Sequence, residues 1–222
     1  MSAIITTLQV EQPTATATTV SPEQRVCDKP VDALSLWASE ASGGGGATLN
    51  LIRGDGNERL LVPFTASMVR KSVHYVEYPA IRSYVHCNGA DCVLCRIGRQ
   101  KDTRDLWPVY DLAARSVGVL PISTNLRPQA LRPQLTYVLQ KLKDSENLFL
   151  MTLRQDGARF FVSTAPLPAD VDDGVAVIEE FLKHFEAGEI DLGSVFTRLP
   201  NPELAAVPEI ATLMKVKGIQ LS

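Results

Sequence analysis

Residues 74–95, HYVEYPAIRSYVHCNGADCVLC, hold three of the chain's four cysteines and two of its three histidines. Soft ligands at this density constrain the fold more than any other feature of the sequence. Cys92-Val-Leu-Cys95 is a C-x-x-C knuckle, a tight turn that aims two thiolates at one ion, and Cys87 stands five residues before it. Three thiolates need a fourth donor to close a tetrahedral zinc site. If the flanking hairpin turns at residues 79–82, paired positions sum to 161 and His74 faces Cys87. His86 directly precedes Cys87, and successive strand side chains point to opposite faces, so His86 would point away. The expected ligands are therefore His74, Cys87, Cys92 and Cys95, with His86 as the alternative fourth. Four filled positions imply one structural Zn²⁺. A thioredoxin-like redox pair would begin a helix after a strand and would not need the third cysteine. A catalytic zinc would keep an open position beside a general acid or base, and neither H-E-x-x-H nor H-x-E with P-C-x-x-C occurs.

Around this stretch the chain reads as a run of short strands. Residues 1–46 are expected to be a flexible arm, with a low-complexity run at Thr14–Thr19, a short amphipathic helix from Val31 and a Gly43–Gly46 linker. An ordered core is expected over 47–165. Strands at 48–53 and 60–64 would flank a 54–57 hairpin turn, and 69–78 and 81–86 would form a second hairpin across Pro79-Ala80. Strands at 106–112 and 117–122, a helix over 128–142 and a last hairpin at 149–154 and 159–163 follow. Helices are expected at 175–185 and 202–214. Short strands carrying one intervening helix and then a helical tail imply a mainly β (α+β) fold. The pattern is that of a small barrel with a zinc-binding hairpin and loop at about 69–104, and an acidic helical region over 166–222.

Charge is segregated along the chain. Residues 66–143 contain twelve Lys/Arg and five Asp/Glu, a local balance of +7, whereas 166–193 contain eight Asp/Glu and one Lys, a balance of −7. Basic and aromatic residues interleave around the zinc loop: Arg70, Lys71, Tyr75, Arg82, Tyr84, Arg96, Arg99, Lys101, Arg104, Trp107 and Tyr110. Cations along phosphates and flat rings under bases are what single-stranded nucleic acid requires. Motifs for phosphate cradles and for a GxSxG nucleophile are missing, and the acidic pairs Asp172-Asp173 and Glu179-Glu180 are adjacent rather than convergent. An enzyme is not expected. Neither a signal peptide nor a membrane-length apolar run is expected, and clustered thiols suit a reducing compartment such as the cytoplasm of a bacterial or phage-infected cell.

His74, then Cys87 and the closing Cys92-x-x-Cys95, resembles the zinc signature of the T-even phage single-stranded DNA-binding proteins. The likeness extends from 47 to 165 in the order of strands, with the basic stretch Arg96–Arg104 followed by Leu106-Trp-Pro-Val-Tyr110. The Cys87–Cys92 spacing is shorter than in that family, and Val93 stands where proline is common. The resemblance implies an OB-fold barrel with a zinc subdomain and a cleft for single-stranded DNA. It also implies an acidic C-terminal region that engages replication or recombination proteins, and self-association along DNA through a basic N-terminal arm. Residues 1–24 carry no Lys or Arg and depart from that last feature. The expected function is non-catalytic coating or protection of single-stranded DNA in replication, recombination or repair. The alternative is a zinc-stabilised adaptor that acts through its acidic C-terminal helices.

Overall fold

A computed structural model describes residues 49–54, 56–145, 147–168 and 172–221. The expected helix near Val31, the glycine linker and the core boundary at Ala47 lie outside the described residues. Eight strands form one sheet: β1 (Asn50–Leu51), β2 (Arg59–Pro63), β3 (Val69–Tyr78), β4 (Ile81–His86), β5 (Asp102–Asp111), β6 (Ser116–Ser123), β7 (Phe149–Asp156) and β8 (Arg159–Pro166). The helices are α1 (Val93–Arg96), α2 (Leu131–Asp144), α3 (Asp172–Glu186), α4 (Asn201–Ala206) and α5 (Pro208–Val216). The architecture is mixed α/β on a large sheet, and no helix among the described residues is long and apolar enough to cross a membrane.

The middle of the sheet is β5. One of its edges pairs with β6; along the other, β2 covers Val109–Asp111 and β3 covers Asp102–Leu106. Its side chains alternate between two apolar layers, as the period of two demands. Trp107 and Val109 face a layer with Leu61, Leu120 and Met151, covered by Leu131, Leu135 and Val138 of α2. Leu106 and Tyr110 face the other layer with Val62 and Val119, covered by Ile178 and Phe181 of α3. Burying each large side chain in these layers contributes roughly 1.5–3 kcal/mol. A third cluster packs Val76, Val85 and Leu94 of the metal hairpin and loop against Leu204 and Ile210 of α4 and α5.

Several expectations need correction. The 48–53 and 60–64 strands do not form a hairpin: β1 runs parallel to β6, while β2 is antiparallel to both β5 and β7. The strand order is β1-β6-β5-β2-β7-β8, with the β3–β4 hairpin branching from β5. Closing a barrel would require β6 to meet β8. Here β1 takes the outer edge of β6, and the sheet is open. The Phe160 N–H donates to the Gln129 carbonyl at 3.0 Å, which ties β8 to the turn before α2. The expected 202–214 helix is two helices that break at Val207, because Pro208 disfavours a helical residue before it. Among the described residues, α3 packs on the sheet and α4–α5 pack on the cysteine loop.

Candidate metal centre and nucleic-acid groove

Two segments build the metal centre. The β3–β4 hairpin turns through Pro79-Ala80, with Tyr78 opposite Ile81, so paired positions sum to 159. His74 therefore faces Val85 rather than Cys87. A shift of two residues preserves which face each side chain points to, so His74 remains on the face of Cys87. The Cys87 N–H extends the ladder by donating to the Ser72 carbonyl at 3.0 Å. The 3₁₀ turn Gly89–Asp91 and α1 then fold Cys92 and Cys95 back over the hairpin.

His74, Cys87, Cys92 and Cys95 present their donor atoms within 4.8 Å of one another. The Cys87 and Cys95 sulfurs are 3.6 Å apart, and His74 Nε2 lies 3.3 Å from Cys95 Sγ and 3.6 Å from Cys92 Sγ. Metal–sulfur bonds of about 2.3 Å in a tetrahedron space ligand atoms by roughly 3.5–3.8 Å, so the arrangement fits one ion. The His74 Nδ1–H donates to the Gln100 carbonyl at 3.0 Å, which leaves Nε2 free to ligate. Burial keeps His74 below the ordinary histidine range and hence neutral, as a ligand must be. Burial, with the sulfurs of Cys87 and Cys92, pushes the Cys95 thiol up to about 12. Cys95, buried beside two other sulfurs, resists becoming a thiolate unless a cation compensates it. The set can hold a metal ion such as zinc.

His86 has a different role. Its ring points to the opposite face, where Nε2–H donates to the Gly193 carbonyl at 2.7 Å and the ring meets Phe196 edge-on at 5.9 Å. Burial holds its pKa down, with smaller contributions from Arg198 and Lys71, while the Gly193 carbonyl and, less strongly, Asp191 oppose them. It fastens the 3₁₀ turn Leu192–Val195 to β4.

Asn201, at the start of α4, clamps the knuckle from more than a hundred residues away. Its Oδ1 accepts from Val93 N at 3.2 Å and from Asn88 Nδ2 at 2.9 Å, and its Nδ2 donates to the Asp91 carbonyl at 3.0 Å. Arg96 donates to the Gln220 carbonyl at 2.9 Å. These C-terminal partners of the loop leave no local sequence signal.

The hairpin face opposite the metal carries a groove. Tyr75 and Tyr84 sit directly across from one another with ring centroids 5.2 Å apart, and Tyr75 is 45% exposed. Two recesses, of about 450 and 630 Å³, meet at this pair. Arg104 lies 4.9 Å over the Tyr84 ring, donates to the Tyr84 hydroxyl at 2.7 Å and bridges to Asp102 at 2.6 Å. Arg82, exposed at the rim, pairs with Glu77 at 2.9 Å. Arg53, Arg99 and Arg127 complete the cationic lining, and Phe196 extends the aromatic wall with its ring 5.8 Å from Tyr84. Arg53, Arg127 and Phe196 were missing from the sequence-based set. Phe196 arrives on a loop that pairs with β4 at Val85–Thr197, so only the tertiary fold reveals it.

Of the sequence-selected contacts, Tyr75, Arg82, Tyr84, Arg99 and Arg104 converge on the groove. Trp107 and Tyr110 do not: they are 0% and 3% exposed, and Trp107 Nε1–H donates to the Thr65 carbonyl at 2.6 Å. From Asp105 to Asp111 the strand is buried on both faces and offers no side chain to a ligand, unlike its start at Arg104. Arg70 points to the other face and chelates Asp105 at 2.6 and 3.1 Å. Lys71 pairs with Asp191 at 3.6 Å, Arg96 is directed to the C-terminus, and exposed Lys101 lies beside His74. No known family model, curated protein or solved structure matches the chain.

Proposed function

We propose that this chain is a non-catalytic single-stranded DNA-binding protein, braced by one structural zinc held by His74, Cys87, Cys92 and Cys95. The observation that carries the reading is the groove centred on Tyr75 and Tyr84, lined by five arginines on the hairpin face opposite the metal donors. Rings stacked on bases contribute about 1–3 kcal/mol each, and phosphate contacts add salt-dependent affinity. Zinc would couple the two faces by holding the hairpin and loop in shape, because metal binding to such a site is folding energy. The succession β6-β5-β2-β7-β8, with a helix between β6 and β7, supports reading the sheet as an OB-type barrel opened by the insertion of β1. That reading agrees with the resemblance to the T-even phage proteins and places the groove on the barrel wall. Acting on replication or recombination proteins through the outer, acidic side of α3 belongs to the same proposal.

Titration of a labelled oligo-dT between about 50 and 200 mM salt tests it. Tight binding that weakens steeply with salt is expected. An RNA or duplex competitor that displaces oligo-dT at equal concentration, or no binding at low salt, would overturn it.

A further inference from the structure

The aromatic groove has a side chamber. β1 pairs with β6 only at Asn50 and Leu51 before the chain turns away. At Gly54 it crosses the β7 end so closely that an added Cβ would fall 1.6 Å from Gln155 Oε1. A larger residue there would have to push the Gln155 side chain aside. Between this closed point and the tyrosine pair, the sheet edges stay apart and leave the 450 Å³ recess. Leu120, Leu131 and Leu153, each at most 5% exposed, form its lining with Phe160, while Arg53 and Gln155 supply polar groups.

We propose that this recess is a nucleobase subsite, into which one base of the bound strand turns away from the tyrosine pair. The inference rests on the single-strand reading and adds to it. The lining joins leucine side chains to the rings of Phe160, Phe196, Tyr75 and Tyr84, which suits a heterocycle. The amide of Gln155 and the guanidinium of Arg53 can hydrogen-bond the edges of a base. Arg82 and Arg104, each also paired with a carboxylate (Glu77 and Asp102), line the same recess beside Tyr84 and suit an occupant that joins a flat group to an anionic chain. A nucleotide within a strand meets both demands, and among the described residues no carboxylate lines this recess. The volume falls in the range of pockets that enclose small ligands.

Photo-crosslinking of the full chain with oligo-dT carrying 5-iododeoxyuridine, followed by peptide mapping, tests the subsite. Crosslinks within residues 153–160 or 51–54, in addition to Tyr75 or Tyr84, are expected. Crosslinks confined to Tyr75, Tyr84 and the adjoining strands overturn the subsite while leaving the groove in place. Absence of any complex at about 50 mM salt overturns the single-strand reading and the subsite with it. Phe160→Ala, checked for an intact fold by circular dichroism, is expected to weaken oligo-dT binding about tenfold with an unchanged salt slope. Unchanged affinity in a folded variant counts against the subsite, and crosslinking of the unmodified chain decides independently of how that variant folds.

Discussion

At the scale of single residues, one tautomer orders the metal centre. The Gln100 carbonyl accepts a hydrogen bond from His74 Nδ1–H and leaves Nε2 toward the Cys92 and Cys95 sulfurs. Zinc stoichiometry should fall on His74→Ala, with apparent affinity reduced by more than the roughly 10–100-fold typical of losing a ligand's supporting partner. His86→Ala should keep its zinc, and loss of metal from that variant would reverse the assignment of the two histidines. His86 carries a pH prediction instead. Its folded pKa lies below its ordinary value of 6.5, so the stability it contributes is complete above that value and is lost as pH falls below it. His184 has the opposite sign. Glu189 and Glu180 raise its pKa, so its contribution is present below the ordinary value and fades as pH rises through the raised one. His184 lies at the surface of α3, where solvent screens the pairs, so the His86 effect should dominate. Urea midpoints at pH 5.5 and 7.5 should differ less for His86→Gln than for the unmodified chain.

At the scale of elements, strand parity explains why the four donors still converge after a wrong register. The hairpin pairs with a sum of 159 rather than 161, and a two-residue slip moves partners without changing faces. Parity also separates the two sides of β3: His74 faces the three cysteines, and its neighbour Tyr75 faces the groove. α3 is held by Phe181, which is fully buried against the sheet with Phe64 and Phe185 around it. Phe181→Ala should destabilise the chain by about 3–5 kcal/mol, read as a lowered denaturation midpoint. The start of α4 depends on Asn201, whose carbonyl oxygen and amide bind three groups of the cysteine loop. Asn201→Ala should lower stability by about 1–3 kcal/mol and speed zinc release to a chelator, whereas a release rate equal to that of the unmodified chain would show that the clamp does not act on the metal loop.

For the whole molecule, Leu204 and Ile210 of the C-terminal helices share a buried cluster with Cys92, Val93 and Leu94 of the cysteine loop, and the two are expected to open together. Stripping the metal should therefore raise amide exchange in α4 and α5 together with β3 and β4, while β6 and β7 stay protected. The metal donors and most strands were legible in the sequence because their signals are local: a C-x-x-C spacing, period-two alternation, and turns at Pro79-Ala80 and Asp156-Gly157. The burial of Trp107 and Tyr110 was not, because an aromatic residue in a strand reads alike whether one face is covered or both. The sequence by itself determined which four donors share a face and that basic and aromatic residues gather near them, since both follow from spacing along one chain. Only the tertiary structure decided that the sheet stays open at β1, that Arg53, Arg127 and Phe196 complete the groove, and that Asn201 locks the metal loop. Each of these joins segments far apart in sequence, and such joints depend on how buried layers pack rather than on any local pattern.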